Sequence, residues 1–455
     1  MRLWHFLKEH MQCHLRQEVC ENGTSATYGE LIAFAESFAA RLTGFRSCAV
    51  LCGSEMAASA ALLSCFAAGV TAVPLSARYG EAHCQKILDT VSPDALITDT
   101  GGELRVTRLC GFGYREPLCR PALIMCTSGT TGTPKGAMLT ESNVMTNVAD
   151  IAAYFRLSAD DRLLIARPLY HCAVLTGEWL TALVQGAGIR FYSGEYHPAF
   201  VLKLLKEHGI TAFGGTPTWL SAMARFRRNG EGDSLRYIVV SGECLSAKTG
   251  LRIADAFKNA AIFHVYGLTE AGPRVAYLPP ALFSGNADCV GVPLRSVSLR
   301  ILADDGSPVK TGETGTLWVK GGNVMAGYYN DPDKTAEVIR DGWLCTGDLA
   351  RFTEKGLLKI LGRRDGLIIR AGMNIYPQEI EAALKADVRV RELYVCGKKD
   401  AHDRTQIVLH IAGAFADTAE VRAMCRARLP AFQVPNEICL TDELPKNGSG
   451  KIIRR

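Results

Sequence analysis

The 455-residue sequence lacks a long uninterrupted apolar run, a Cys-x-x-Cys pair and an excess of charge of either sign. Its 51 lysines and arginines against 46 aspartates and glutamates leave a net charge of +5, too diffuse to indicate a nucleic-acid-binding protein. The hydrophobic fraction of 48% and the charged fraction of 21% argue against a disordered chain and against a multispanning membrane protein. We therefore expect a globular protein with no membrane span and no nucleic-acid partner.

The sixteen cysteines are scattered along the chain, which favours reduced thiols over a disulfide framework. The first fifteen residues are interrupted by Lys8, Glu9, His10 and His14, so they do not form the apolar core of a signal peptide. Both observations predict a cytoplasmic protein. The most apolar stretch, residues 57–73, is rich in alanine and contains polar residues, which predicts a buried helix running into a strand.

Helical patterns alternate with short apolar runs over most of the chain. Residues 28–42 and 200–208 have helical periodicity, whereas 49–51, 95–97 and 238–240 are short apolar runs. This alternation indicates βα units around largely parallel sheets, and therefore an α/β fold. The chain is also longer than one typical domain, so a second unit is expected.

Two later regions have a different sequence pattern. Residues 290–326 alternate in short strands, with apparent hairpin turns at Asp305-Gly306, Thr311-Gly312 and Gly321-Gly322. After Gly362 we expect a small α+β segment, with strands at 367–369 and near 393–396 and helices opening near Pro377 and spanning 418–429. We therefore predict a large N-terminal body with a β-rich subdomain, residues 1–362, and a small C-terminal lobe, residues 363–455.

The most informative segment is Cys126-Thr-Ser-Gly-Thr-Thr-Gly-Thr-Pro-Lys-Gly136, between an apolar strand at 122–125 and a capped helix start at 140–143. Such a loop presents backbone amides and hydroxyls to phosphate oxygens, and Lys135 adds a cation. It is not the usual nucleotide-triphosphatase loop, which needs glycine at Pro134 and serine or threonine at Gly136. The candidate phosphate-binding residues are Thr127, Ser128, Gly129, Thr130, Thr131 and Gly132.

This loop resembles the signature of the adenylate-forming (AMP-binding) superfamily, which includes acyl-CoA synthetases, peptide-synthetase adenylation domains and luciferases. Further motifs agree in the family's order and extend the resemblance over nearly the whole chain. They are Tyr266-Gly-Leu-Thr-Glu270, Trp343-Leu-Cys-Thr-Gly-Asp348, Gly362-Arg-Arg-Asp365, Pro377-Gln-Glu-Ile-Glu381 and Pro445-Lys-Asn-Gly-Ser-Gly-Lys451.

The resemblance implies roles for individual residues of the nucleotide site. Thr269 would meet a phosphate, Glu270 would help to hold magnesium, and Asp348 with Arg363 would contact the ribose. The adenine would lie against the strand end at Gly242, Glu243 and Cys244, and Tyr266 and Gly267 would complete the nucleotide site.

The resemblance also implies that the C-terminal lobe moves. Lys451 would reach the reacting carboxylate while the adenylate forms, and Asp365 would be the hinge. Gly372 would lie on the side of the thiol acceptor in the second half-reaction.

The acyl pocket is expected near His171, Trp219 and Gly272, because His171 stands in a Pro-Leu-x-His pattern similar to that of acyl-CoA ligases. Peptide-synthetase domains that take α-amino acids carry an acidic residue near this position. Residues 168–177 contain none, so an α-amino acid substrate is disfavoured.

The reaction implied is activation of a carboxylic acid by ATP and Mg²⁺, followed by transfer of the acyl group to a thiol. The chemistry needs no protein nucleophile, because it consists of bringing two anions together and offsetting their charge, which Lys451, Lys135 and magnesium would do. The acceptor would be CoA or the phosphopantetheine of a carrier protein. A free-standing adenylation enzyme that loads an acyl or aryl acid on a carrier protein, and a silent nucleotide-binding homologue, are the alternatives.

Overall fold

The computed structural model describes residues 2–111, 113–128, 134–194, 197–228, 230–364, 366–370, 373–399, 405–430, 433–446 and 452–454. Its α-helices are α1 (Leu3–Gln12), α2 (Tyr28–Ala39), α3 (Glu55–Ala68), α4 (Glu81–Val91), α5 (Glu141–Tyr154), α6 (Cys172–Val174), α7 (Thr181–Gln185), α8 (Pro198–Glu207), α9 (Pro217–Phe226), α10 (Ala247–Ala256), α11 (Phe283–Asn286), α12 (Pro332–Val338), α13 (Pro377–Leu384) and α14 (Thr418–Arg428). A π-helical turn, Leu175–Leu180, joins α6 to α7.

The strands run through the whole described chain. They are β1 (Glu18–Glu21), β2 (Thr24–Thr27), β3 (Ser47–Val50), β4 (Thr71–Pro74), β5 (Ala95–Thr100), β6 (Glu103–Arg108), β7 (Leu123–Ser128), β8 (Pro134–Leu139), β9 (Arg162–Ile165), β10 (Gly188–Phe191), β11 (Ala212–Gly215), β12 (Tyr237–Val240), β13 (Ala261–Tyr266), β14 (Ala276–Leu278), β15 (Val292–Pro293), β16 (Val297–Leu302), β17 (Gly315–Gly321), β18 (Gly327–Tyr328), β19 (Ile339–Arg340), β20 (Trp343–Phe352), β21 (Leu358–Arg363), β22 (Ile368–Arg370), β23 (Met373–Ile375), β24 (Val390–Lys399), β25 (Thr405–Gly413) and β26 (Glu437–Thr441).

Two large sheets form the body. Within the described residues, one has the order β15-β14-β13-β12-β11-β9-β10-β1-β2 and the other β18-β8-β7-β4-β3-β5-β6. Their central pairs are parallel, and antiparallel strands close their edges. The expected α/β fold with largely parallel sheets is confirmed.

Helix ends follow local sequence signals. The Thr27 hydroxyl accepts from the backbone amide of Glu30 while the Glu30 carboxylate accepts from that of Thr27, a capping box that starts α2. The apolar α3 starts at the Ser54 cap and ends at Gly69, whose φ of 66° is left-handed. The chain then enters β4, as expected from the apolar stretch. The described part of the chain contains no helix that could cross a bilayer.

The β-rich region is confirmed in outline, but neither Thr311-Gly312, which lies within the connection from β16 to β17, nor Gly321-Gly322 is the hairpin turn that the sequence predicted. Strands β16, β17, β20 and β19 form a sheet with β21 paired to β20. The backbone turns at Gly321, as expected, but the next strand, β18, pairs with β8 of the body. Gly321-Gly322 therefore crosses between sheets and does not close a hairpin, because β8 offers a free edge to the returning chain.

The last segment has its own hydrophobic cluster. Its members come from β22 through α14, from Ile368 to Leu429. Strands β24, β25 and β26 form one sheet, with β24 antiparallel and β26 parallel to β25, and α13 begins at Pro377 as predicted. A separate apolar cluster is typical of a small lobe.

Candidate active site

The predicted phosphate loop joins the paired strands β7 and β8, and these two strands with their loop are called the phosphate hairpin below. β7 and β8 are antiparallel, with Thr127 opposite Lys135 and Ser128 opposite Pro134. The sequence predicted a loop that runs from a strand to a helix. That prediction is wrong, because the loop connects two antiparallel strands and Lys135 lies in the second of them. Gly129, Thr130, Thr131 and Gly132 fall outside the described residues. The following helix, α5, starts at the expected Thr140–Asn143 capping box.

Glu270 lies in a short 3₁₀ turn, Thr269–Ala271, directly after β13. Its carboxylate Oε1 accepts a hydrogen bond of 2.9 Å from the Tyr328 hydroxyl. Burial, together with the neighbouring Glu270 carboxylate, raises the pKa of Tyr328 above its ordinary value, so the phenol remains a donor at neutral pH. The Lys135 ammonium lies 5.7 Å from the centre of the Tyr328 ring. One carboxylate and one cation are therefore gathered beside the phosphate hairpin.

Gly267 is required by a close approach of the backbone. A Cβ there would lie 1.5 Å from the carbonyl oxygen of Pro273. The chain thus folds back on itself between Tyr266 and Pro273, and this turn carries Thr269, Glu270 and Gly272. Only glycine leaves room for it.

Two buried asparagines from other parts of the chain form hydrogen bonds with the backbone of this turn. Asn323 Nδ2 donates to the carbonyl oxygens of Ala271 and Arg274. Asn147 Nδ2 donates to the Arg274 carbonyl, and its Oδ1 accepts from the Arg274 amide. Sequence reasoning missed Tyr328, Asn147 and Asn323. A glycine followed by two tyrosines at 327–329 was a signal for the first, and no local signal marks the asparagines.

The predicted ribose contacts lie side by side. Asp348 and Arg363 are directly opposite in the β20–β21 ladder, with 3.7 Å between the Arg363 Nη1 and the Asp348 Oδ1. Asp348 Oδ2 also accepts from the Tyr266 hydroxyl at 2.5 Å. Burial and the Asp348 charge hold the pKa of Tyr266 well above its ordinary value. These three predicted nucleotide residues are thus brought together.

The strand end at 242–244 adjoins a helix start. Glu243 accepts hydrogen bonds from the amide and the hydroxyl of Thr218, in the first turn of α9. Gly242 has a φ of 87°, which suits glycine. Cys244 lines a cavity of about 480 Å³ whose other wall includes Gln378 and Glu381 of α13.

The three acyl-pocket candidates occupy different surroundings. His171 directly precedes α6 and packs edge-on against Tyr170, whose hydroxyl donates to the Cys126 carbonyl beside the phosphate hairpin. Gly272, with a φ of 58°, follows Glu270 in the same turn. Trp219 is buried in an apolar cluster with its ring 5.4 Å from that of Phe213. His171 and Gly272 thus flank the phosphate side, and Trp219 lies in the core.

Lys451, Asp365 and Gly372 lie outside the described residues, so their predicted roles stay predictions. Residues flanking Lys451 are described. Lys446 and Ile452, one on each side of Lys451 in the sequence, form an antiparallel bridge. Arg454 Nη2 lies 2.8 Å from the buried Glu381 carboxylate, and Lys446 Nζ lies 2.5 Å from Glu392. Lys446 and Arg454 therefore both form ion pairs with residues of the last lobe.

The residues present fit a nucleotide with one magnesium ion. Among the described residues, no three histidine, cysteine, aspartate or glutamate side chains group into a metal cage. A single carboxylate, Glu270, is what Mg²⁺ uses when phosphate oxygens and water complete its octahedral shell. Bound there, magnesium would offset phosphate charge, while Lys135 adds a second positive charge. Asp348 would accept hydrogen bonds from sugar hydroxyls, since a carboxylate is an acceptor only.

The comparisons with known proteins agree with this geometry. The model of the AMP-binding enzyme family matches residues 7–118 and 114–329, and that of the AMP-binding enzyme C-terminal domain matches 379–451. A feruloyl-CoA synthase of Amycolatopsis sp is 33% identical over 96% of this chain and 94% of its own.

Solved structures extend the likeness to the whole fold. The o-succinylbenzoate CoA synthetase MenE of Bacillus subtilis, in complex with the acyl-adenylate intermediate OSB-AMP, matches with a TM-score of 0.84 and 26% identity, covering 98% of this chain and 96% of that one. Its complex with ATP and magnesium matches with a TM-score of 0.83 and 27% identity, over 98% of each chain. The chain belongs to the family of AMP-binding enzymes and is an AMP-forming acid–thiol ligase, which activates a carboxylic acid with ATP and Mg²⁺ and transfers the acyl group to a thiol.

Proposed function

We propose that this enzyme makes the CoA thioester of an aromatic carboxylic acid. The observation that carries the proposal is the near end-to-end match to a feruloyl-CoA synthase, together with the equally complete structural match to MenE bound to OSB-AMP. Both of those proteins are named for acids that contain an aromatic ring. A carrier-protein phosphopantetheine remains the alternative acceptor.

Different residues bind the metal, the phosphates, the ribose and the acid. Glu270, oriented by Tyr328, holds the magnesium ion, and Lys135 with the phosphate hairpin binds the polyphosphate. Asp348 and Arg363 fix the ribose, and Tyr266 holds the Asp348 carboxylate in place. Lys451 meets the acid carboxylate, so that the attacking and attacked groups are aligned while their charges are offset.

Both units take part in each half-reaction. Residues 1–362 hold the substrates, and residues 363–455 form a lobe that turns about Asp365, presenting Lys451 first and the Gly372 side afterwards. One active site must first hold the pyrophosphate leaving group and then admit a long thiol arm, which a static lobe would obstruct. The cavity between Cys244 and α13 is one place where such a lobe faces the body.

The test has two stages. Acid-dependent exchange of pyrophosphate into ATP is measured over benzoate, cinnamate, ferulate, 2-succinylbenzoate, hexanoate and hexadecanoate, and thioester formation is then followed with CoA and with a phosphopantetheinylated carrier protein. We expect exchange with the aromatic acids and thioester formation with CoA. A preference for aliphatic acids, or transfer to the carrier protein alone, would contradict the proposal.

A further inference from the structure

Arg274 is a buried cation beside the turn that carries Glu270. It lies between β13 and β14, two residues beyond Gly272, and only 2% of the residue is exposed. Its backbone is held by Asn147 and Asn323, so the position of the side chain follows from a rigid turn. A long charged side chain is rarely placed in the interior without a partner.

Most of the guanidinium has no acceptor within the described chain. Its Nε and Nη2 make no hydrogen bond there, and the side-chain partner that the guanidinium has is the neutral phenol of Tyr154 and not a carboxylate. Arg167 provides a contrast, because it is also buried and forms an ion pair with Glu178. Arginine does not lose its proton in proteins, so burial cannot neutralise Arg274. An unpaired buried charge is costly, and that cost is offset when an anion binds.

The surroundings of the guanidinium place it on the acyl side of the site. A Cβ at Gly177 would lie 2.9 Å from Arg274 Nη2, so the absence of a side chain there makes room for the guanidinium. Gly177 belongs to the π-helical turn that continues from His171 and α6. The Arg274 charge lowers and the Glu270 charge raises the pKa of the Cys172 thiol, so both charged groups lie near this cysteine.

We propose that Arg274 binds a second anionic group of the acid substrate, so that the preferred acid is a dicarboxylate or an equivalent dianion. This inference rests on the proposed function, because it concerns the acid that the enzyme activates. The two donor atoms Nε and Nη2 match the geometry with which a guanidinium binds a carboxylate in two parallel hydrogen bonds. The reacting carboxylate would lie towards Glu270 and the phosphate hairpin, and the second one against Arg274.

The experiment uses acids in matched pairs that differ by one carboxylate. Pyrophosphate exchange is measured with cinnamate and 4-carboxycinnamate, benzoate and isophthalate, hexanoate and adipate, and octanoate and suberate. We expect kcat/KM at least tenfold higher for the dicarboxylate in the best pair. Arg274→Met should reverse that preference, Arg274→Lys should keep part of it, and the control Arg295→Met, which removes an exposed arginine, should leave it unchanged.

A second readout separates binding from a structural role. Because no carboxylate of the described chain neutralises the native charge and the Tyr154 phenol is its side-chain partner, Arg274→Met should not lower the thermal midpoint of the ligand-free enzyme. It should, however, abolish the rise in midpoint that the best dicarboxylate causes. A lower midpoint, an equal loss for both members of a pair, or a native preference for monocarboxylates would overturn the role of Arg274 while leaving the ligase function intact. Failure of every acid to support exchange would overturn the proposed function and the inference with it.

Discussion

The hydroxyl of Tyr328 donates to the carboxylate of Glu270 across 2.9 Å, although 58 residues separate them in the chain. Tyr328 reaches this position because β18 pairs with β8, the second strand of the phosphate hairpin. Tyr328, which contacts the Glu270 carboxylate, and Lys135 of the predicted phosphate loop therefore lie on adjacent strands of one sheet.

Glu270→Gln should lower pyrophosphate exchange by orders of magnitude while the protein remains folded. The amide keeps the shape of the side chain and an acceptor for Tyr328, but it removes the charge that we propose binds magnesium. Exchange rates and circular dichroism of the purified variant test this. Exchange within about twofold of the parent would show that Glu270 does not hold the ion.

Tyr328→Phe should raise the magnesium concentration needed for half-maximal exchange by about tenfold. A hydrogen bond to a charged group contributes ~1.5–3 kcal/mol, and its loss leaves the carboxylate less well oriented. Tyr329→Phe is the matched control, because that neighbouring hydroxyl accepts from the Arg115 amide instead. A shift of the same size in both variants would contradict a specific role for Tyr328.

His171→Ala should change the ranking of acids, whereas Thr131→Ala should depress exchange with all acids about equally. The first residue lies on the predicted acyl side and the second belongs to the phosphate loop. Trp219→Ala was expected to act like the first, but its burial beside Phe213 also predicts a loss of stability of ~3–5 kcal/mol. Exchange over the acid panel decides the matter, and a uniform loss in His171→Ala would remove that residue from the pocket.

Lys451→Ala should abolish adenylate formation and spare thioester formation from supplied acyl adenylate. Asp365→Pro, which restricts the proposed pivot, should do the reverse. Stopped-flow measurement of each half-reaction distinguishes these outcomes. Equal loss of both steps in Lys451→Ala would indicate one static arrangement of the lobes.

The thermal midpoint should fall as the pH is lowered from 7 to 4, partly because of His264. Burial lowers the pKa of this histidine to about 4, and its Nδ1 lies 2.8 Å from the Cys289 carbonyl. The fold prefers the neutral ring, so this stabilisation is complete above the ordinary pKa near 6.5 and is lost as the pH falls from there towards 4. Its size is about 3 kcal/mol.

His264→Gln tests that origin. The variant should be less stable at pH 7.5 but should lose less of its thermal midpoint between pH 7 and 4.5 than the parent does. His5→Gln, at an exposed position, serves as the control and should retain the parent's pH dependence. An equal decline in His264→Gln and the parent would assign the acid sensitivity to other groups.

Local sequence patterns predicted the helices, the strands and the chemistry well, but they predicted contacts between distant residues poorly. The capping box at Thr140 and the helix start at Pro377 are encoded within four residues, and both were correctly predicted. The β7–β8 hairpin was missed because the glycine- and threonine-rich loop, followed so soon by the α5 cap, left only a short run for a strand. Its pairing is specified by the neighbouring sheet.

The pairing of Asp348 with Arg363 illustrates the same limit. Each residue was predicted individually, but their direct opposition depends on the register of β20 and β21, which contains an irregularity between Leu349 and Ala350. Tyr328 and Arg274 were not predicted at all. Their significance depends on burial and on partners far away in sequence, which composition and periodicity do not encode.

Two cysteines border the candidate active site. Cys126 is at the base of the phosphate hairpin and Cys172 follows His171, and burial raises the pKa of each thiol to about 12. Thiolates attack activated acyl groups, whereas protonated thiols are poor nucleophiles. The burial that raises these pKa values therefore keeps both thiols protonated at neutral pH, so that they are poor competitors of an external thiol for a mixed anhydride.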